Sequence, residues 1–258
     1  MSIWVSLLIT EFLGTAILVI LGNGIVANVL LKNTKGNNAG WLSITIGWGV
    51  AVTVAAMISS AFEGGAGYLN PAVALAMAIS NFQGSFANIA GSTAAGVGVF
   101  FLVILIEILG AMVGQIVVNL VYFKHIKMTL TAEEKDAAAK VLAIHSTGPT
   151  TRSCLFNFIA EFVGTTVLVI GILAMSKYKG VTDLVGPMMA GLIVLGVGLA
   201  LGGTTGYAIN PARDLGPRII HSLMRLKDKG TSDWGYSWIP VLAPLSAGAV
   251  IGAIFLAL

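Results

Sequence analysis

Charged residues are scarce in this chain. Lys and Arg number 14 and Asp and Glu number 11 among 258 residues, so charged side chains make up 10% of the sequence. Soluble domains carry about 25%. Hydrophobic residues reach 57%, and the mean hydropathy is +0.93. This balance argues against an ordinary soluble domain and predicts a polytopic membrane protein whose apolar segments lie in lipid.

Cysteine and clustered metal-ligating residues are also lacking. The single Cys154 cannot form an intrachain disulfide, and no His, Asp or Glu stands near it at a spacing typical of metal ligands. The three histidines, His125, His145 and His221, stand near loops or segment ends, where we expect surface positions. The net charge of +3 comes without a dense basic run, which argues against a nucleic-acid partner. No nucleophile and base pair or phosphate-binding loop is apparent, so we expect no enzyme, cofactor or metal site.

Long apolar runs are what the sequence does have. A helix of about 20 apolar residues crosses a bilayer. Six windows satisfy this condition: 3–31, 40–62, 99–123, 153–176, 184–203 and 237–258. Two further apolar pieces, which follow Asn70 and Asn210, are too short to cross and predict re-entrant or interfacial segments.

The two halves of the chain resemble each other. The stretch "TEFLGTAILVILG" at 10–22 matches "AEFVGTTVLVIG" at 160–171, and Asn-Pro-Ala occurs at 70–72 and again at 210–212. Each half has the order span, span, short segment, span. Because three spans are an odd number, the second half must enter the membrane from the opposite face, as in an inverted duplication.

This symmetry predicts one transmembrane domain over residues 1–258. Its inverted repeats cover approximately 1–123 and 153–258, and a polar loop at 124–152 joins them.

Each Asn-Pro-Ala triplet has the chemistry of a helix start. Asn is a good N-cap, and Pro suits the first helical position. We therefore expect helices to begin at Asn70-Pro71-Ala72 and Asn210-Pro211-Ala212. A single such motif would suit a helix capped at the membrane surface, but two copies in inverted halves place both starts near the midplane.

Irregular backbone at that depth is tolerated where it lines a water-filled path or is buried in protein. The two positive helix ends and the amides of Asn70 and Asn210 would face this path and donate to a solute oxygen. Their field would oppose cations and proton hopping. The pattern therefore predicts a pore.

The doubled motif in inverted halves resembles the major intrinsic proteins, the aquaporin and aquaglyceroporin family, over nearly the whole chain. "NPARDLGPR" at 210–218 is similar to the glycerol-facilitator branch, in which an Asp follows the Arg, as Asp214 does here. The resemblance implies an all-α membrane protein with six transmembrane helices and two re-entrant half-helices. It implies homotetramers of passive channels that conduct glycerol and related small uncharged solutes, with some water, and exclude ions and protons.

Arg213 stands one turn into the second short helix. An Arg at membrane depth is costly and indicates a functional site, although an ion pair with Asp214 is the alternative. The resemblance implies that Arg213 lies at the outer constriction and binds solute hydroxyl groups.

The resemblance also carries three further filter positions to Trp48, Gly198 and Tyr207. Two aromatic rings opposite a glycine would make a wide apolar slot for a carbon backbone. An ungapped count from the first motif would put Val50 in place of Trp48. An aromatic residue of the membrane interface is the other interpretation of both Trp48 and Tyr207.

Two acidic residues, Glu11 and Glu161, lie inside spans. The resemblance implies that they brace the two loops by accepting backbone N–H groups, which need acceptors when buried. Glu107 stands where the family usually has Gln, and its partner is open. Tyr68 occupies a place where the family commonly has His and is a candidate for lining the pore. The link at 81–98 is longer than usual.

Several readings stay open at this point. A water-selective pore, a facilitator for undissociated acids such as lactic acid or for hydrogen peroxide, and a secondary transporter built on inverted repeats are the alternatives. The loop charges do not orient the chain by the positive-inside rule. We expect a multi-pass protein of a bacterial plasma membrane, with cytoplasmic termini.

Overall fold

The structure is a computed structural model, and it describes residues 1–132, 135–178 and 184–258. These residues form helices and connecting loops, with no strand among them. In chain order the helices are α1 (Ile3–Leu30), α2 (Gly40–Ser60), α3 (Pro71–Ser80), α4 (Asn88–Ala90), α5 (Thr93–Val121), α6 (Phe123–Thr131), α7 (Ala137–Ala143), α8 (Cys154–Met175), α9 (Val185–Ala200), α10 (Pro211–Leu223) and α11 (Ile239–Ala257).

The long apolar helices match the predicted spans. Five of them, α1, α2, α5, α8 and α11, are long and apolar enough to cross a membrane. The sixth, α9, has 16 described residues, about 24 Å of helix at the usual rise. Together with the short α3 and α10, they confirm the predicted all-helical membrane fold with two half-length helices.

One boundary differs from the prediction. The third long helix begins at Thr93 rather than near residue 99, because Ser92 caps it by accepting the backbone N–H of Ala95 at 3.2 Å. Residues that were assigned to a long link are therefore the first turns of α5. A short π-helical turn at Gln83–Ala87 and the three-residue α4 form most of the remaining link.

Small residues let the long helices pack closely. α1 packs against α2 and α5, α2 against α9, and α11 against α3 and α8. A Cβ atom at Gly110 or Gly114 of α5 would overlap the carbonyl oxygens of Phe12 and Ala16 on α1. Glycine at these two positions therefore allows backbone contact between helices, as is common in membrane bundles.

Candidate functional site

Both Asn-Pro-Ala motifs begin helices as predicted. Oδ1 of Asn70 accepts the N–H of Ala72 at 2.9 Å. Oδ1 of Asn210 accepts the N–H groups of Ala212 and Arg213 at 3.0 and 3.2 Å. In each helix a Pro follows the capping Asn. The side chains of both asparagines therefore satisfy N–H groups that a helix start leaves unpaired.

The two helix starts also contact each other. Nδ2 of Asn70 donates to the carbonyl oxygen of Ile209 at 2.8 Å. Nδ2 of Asn210 donates to the carbonyl oxygen of Leu69 at 2.7 Å. Each motif thus holds the residue before the other motif, and the two half-helices meet at their N-termini. An amide NH₂ group has two hydrogens, so each Asn keeps a second donor for a solute.

The residue before each motif has a left-handed backbone. Leu69 has φ 55° and Ile209 has φ 42°, in a region that bulky residues rarely adopt. Such strain persists when the surroundings hold it in place and is typical of functional sites.

Glutamates hold both strained loops. Glu11 accepts the N–H groups of Tyr68 and Leu69 at 3.0 and 2.7 Å. Glu161 accepts those of Ala208 and Ile209 at 3.0 and 2.8 Å. Both glutamates are fully buried, and each accepts two backbone N–H groups of one loop.

Glu107 supplies a second carboxyl group to the first loop. Its Oε1 atom accepts the backbone N–H of Asn70 at 2.9 Å. The sequence alone left this partner open, because the contact joins α5 to a loop 37 positions away in the chain.

Trp48, Tyr207 and Arg213 line one narrow cavity of about 60 Å³ together with Asn70 and Asn210. The guanidinium carbon of Arg213 lies 4.2 Å from the centroid of the Trp48 ring, which is a cation–π contact. The half-helix starts and the three side chains at the predicted constriction therefore border the same space.

Two wider cavities adjoin the narrow one. On one side a cavity of about 220 Å³ shares Trp48, Tyr207 and Arg213 with it. On the other side a cavity of about 470 Å³ shares Tyr68 and Val73. The shared lining residues place the three cavities in series, as a path through the bundle requires.

Two polar atoms at the narrow cavity have no partner in the described residues. They are the hydroxyl oxygen of Tyr207 and Nη1 of Arg213, and both are buried. Buried polar groups are normally hydrogen-bonded. Each of these two atoms therefore has a hydrogen-bonding capacity that no described residue uses.

Gly198 packs against the ring of Tyr207, and this close contact leaves no room for a side chain at residue 198. A Cβ atom at residue 198 would come within 2.9 Å of Cζ of Tyr207. The carbonyl oxygen of Gly198 also accepts the indole N–H of Trp41 at 3.1 Å. Val50, the alternative to Trp48, is 53% exposed on the outside of the bundle and is not among the residues that line the narrow cavity.

Asp214 is not among the residues that line these cavities. It is fully buried, and its Oδ2 accepts the backbone N–H and the hydroxyl of Thr147 at 2.8 and 2.7 Å. Its Oδ1 accepts Nε of Arg218 at 2.8 Å, and Nη2 of Arg218 donates to the carbonyl of Thr147 at 2.9 Å. The buried ion pair of Asp214 is thus with Arg218 rather than Arg213, and it ties the loop after α7 to the second half-helix.

Tyr68 lines both the narrow cavity and the wider one beside it. Its ring centroid lies 5.7 Å from that of Phe86, which is fully buried. Phe86 belongs to the π-helical turn in the longer link. That link therefore supplies the aromatic support beneath Tyr68.

The expected surface positions of His145 and His221 were wrong. Both are fully buried, and their rings make an edge-on contact with centroids 4.9 Å apart. Nδ1 of His145 lies 2.7 Å from the carbonyl oxygen of Val141, and Nδ1 of His221 lies 2.8 Å from the hydroxyl of Ser232. Long-range packing of the loop after α7 against α10 buries them, which loop position in the sequence does not reveal.

Comparisons with known proteins agree with this architecture. The family model described as Major intrinsic protein matches residues 2–256. The chain is 46% identical over 248 residues to glycerol uptake facilitator protein 3 of Lactiplantibacillus plantarum, covering 96% of this chain and 95% of that protein. It is 44% identical over 245 residues to the glycerol uptake facilitator protein of Streptococcus pneumoniae, covering 95% and 96%.

A solved structure is similar as well. The X-ray structure of the aquaglyceroporin from Plasmodium falciparum superposes with a TM-score of 0.80 at 28% identity, covering 98% of this chain and 95% of that one.

Proposed function

Because the chain belongs to the major intrinsic protein family, we propose that it is a passive channel and not an enzyme. It conducts glycerol and related small uncharged solutes, with some water, and it excludes ions and protons. The names of its relatives, which are glycerol uptake facilitators, support this choice of solute.

The observation that carries the proposal is the mixed chemistry of the narrow cavity. Arg213 and Tyr207 lie on the wall, and Nη1 of Arg213 and the hydroxyl of Tyr207 have no partner in the described residues. The Trp48 ring offers an apolar face beside them. Glycerol has hydroxyl groups along one edge of a carbon chain. Its hydroxyl groups can hydrogen-bond to Arg213 and Tyr207 while its carbon chain packs against the Trp48 ring. Gly198 leaves room for this arrangement.

The exclusion of ions follows from the meeting of the two half-helices. Each N-terminus carries about half a positive charge from its helix dipole. A cation at Asn70 and Asn210 meets both ends, with Arg213 close by in the same cavity. A water molecule that accepts from both asparagines turns its own hydrogens outward, which opposes proton hopping along the path. We assign the pore role to Asn70-Pro71-Ala72 and Asn210-Pro211-Ala212.

The chain is a multi-pass membrane protein. We further propose that residues 1–123 and 153–258 are inverted repeats, because Glu11 and Glu161 make matching contacts in the two halves. The bacterial relatives favour a bacterial plasma membrane. The proposal also includes cytoplasmic termini and a homotetramer with one path in each subunit.

Stopped-flow light scattering on proteoliposomes tests the function. A glycerol gradient should cause rapid swelling that does not saturate with concentration and needs no ion or proton gradient. Gly198→Phe is the blocked control, since its side chain would collide with Tyr207. Fast water flux without glycerol flux would instead indicate a water-selective pore, and flux coupled to a gradient would indicate a transporter. Flux measurements with undissociated lactic acid and with hydrogen peroxide compare the permeability of these solutes with that of glycerol.

A further inference from the structure

Two buried carboxyl groups lie side by side beneath the first Asn-Pro-Ala motif. Glu11 on α1 and Glu107 on α5 are both fully buried. Between them they accept the N–H groups of three consecutive residues, Tyr68, Leu69 and Asn70, at 3.0, 2.7 and 2.9 Å. Because these three N–H groups are consecutive in the chain, the two carboxyl groups that accept them lie close together, and the acidic side chains face each other.

The hydrogen-bond inventory of this pair is incomplete. Both oxygens of Glu11 accept a backbone N–H. Oε2 of Glu107 is buried and accepts no hydrogen bond from the described residues. No Lys or Arg side chain pairs with either carboxyl in the part of the chain that the structure describes. Two adjacent negative charges in a buried site without a cation would be very unfavourable.

We propose that the pair holds one proton, on Oε2 of Glu107, and that Glu107 is a neutral residue that positions Asn70. In this state Oε1 accepts the N–H of Asn70 while the Oε2–H group donates to the carboxylate of Glu11. The acid then has one acceptor and one donor in the places where a glutamine amide would have them. Glu11 alone keeps a negative charge, which the positive N-terminus of α3 favours.

The position of Asn70 depends on this arrangement. The N–H group of Asn70 is fixed by Glu107, and its side-chain amide donates to the carbonyl of Ile209. A second negative charge, or the loss of the acceptor, would shift the backbone next to the strained Leu69. The carbonyl of Leu69 in turn receives the amide of Asn210. Both donors of the predicted pore would be displaced together.

Infrared spectroscopy of the full chain reconstituted in lipid tests the proton directly. The wild type should show a buried carboxylic-acid C=O band at neutral pH that shifts in D₂O. Glu107→Gln should lack this band. Glu161→Gln is the control, since Glu161, like Glu11, accepts two backbone N–H groups of its loop, and it should retain the band. Equal spectra for wild type and Glu107→Gln, or loss of the band in the control alone, would overturn the proposal.

Glycerol swelling tests the positioning role, and this readout rests on the proposed channel function. Glu107→Met removes the acceptor of Asn70 and should lower the rate per folded channel by roughly tenfold, the factor expected for one unsatisfied buried amide. Glu107→Gln should restore most of that loss. A Gln variant as slow as the Met variant would contradict the neutral donor and acceptor role. If wild-type vesicles did not swell at all, the solute proposal would fail while the infrared result would still decide the proton.

Discussion

The guanidinium of Arg213 lies over the indole ring of Trp48, 4.2 Å from the ring centroid. The contact holds a planar cation against an apolar surface and leaves Nη1 of Arg213 without a partner in the described residues. Arg213 is only 5% exposed, so its charge is held where bulk water is largely excluded, and the proposed function brings the solute past it.

Tyr207→Phe removes one oxygen from the narrow cavity and leaves the ring in place. Because that hydroxyl has no partner in the described part of the protein, we expect glycerol permeability to fall about threefold to tenfold, as one hydrogen bond would give. Water permeability should change less. Swelling assays with both solutes measure the ratio, and Tyr122→Phe, at a residue that lines none of the three cavities of the path, is the control. An unchanged ratio would show that the hydroxyl does not touch the solute.

Replacement of Arg213 separates charge from shape. Arg213→Lys keeps a positive charge but loses the planar fork that stacks on Trp48. We expect roughly tenfold slower glycerol flux with cations still excluded, in line with the loss of a charge-assisted hydrogen bond. Arg213→Ala should slow glycerol flux as well and admit cations, measured as conductance in planar bilayers. If the Lys variant conducts glycerol at the wild-type rate, the planar guanidinium group is not required for glycerol flux.

The sequence predicted the helix starts well because capping is local. An Asn before a Pro determines where α3 and α10 begin, and the repeated Glu-Phe pattern pointed to Glu11 and Glu161. The partners of Glu107 and Asp214 could not be read in this way. Asn70 and Thr147 lie far from them in the chain and meet them only when α5 and α10 pack. His145 and His221 were misplaced for the same reason, since only tertiary packing buries them.

Asp214→Asn should destabilise the protein rather than change its selectivity. Asp214 and Arg218 are both fully buried, and the change leaves Arg218 without its ion pair. Removing one partner of a buried pair costs about 3–5 kcal/mol. A thermal unfolding scan in detergent should show a clearly lower Tm, while the ratio of glycerol to water flux in the surviving protein stays near that of wild type.

Arg152→Gln, which breaks an exposed pair with Asp233, should leave the Tm almost unchanged. A Tm for Asp214→Asn equal to that of wild type would contradict the proposed tie between loop and half-helix.

The burial of His145 predicts a sensitivity of stability to acid. Burial, with the nearby His221 ring adding to the effect, lowers the pKa of His145 from 6.5 to about 3. Between pH 6.5 and 3, His145 binds a proton in the unfolded chain but not in the folded chain. The free energy of unfolding is therefore unaffected by this group above pH 6.5 and decreases as the pH falls towards 3. The decline can reach about 1.4 kcal/mol per pH unit for one group. We therefore expect Tm to fall between pH 6.5 and 4 in wild type and to fall less steeply in His145→Gln. Equal slopes in wild type and His145→Gln would exclude His145 as the source.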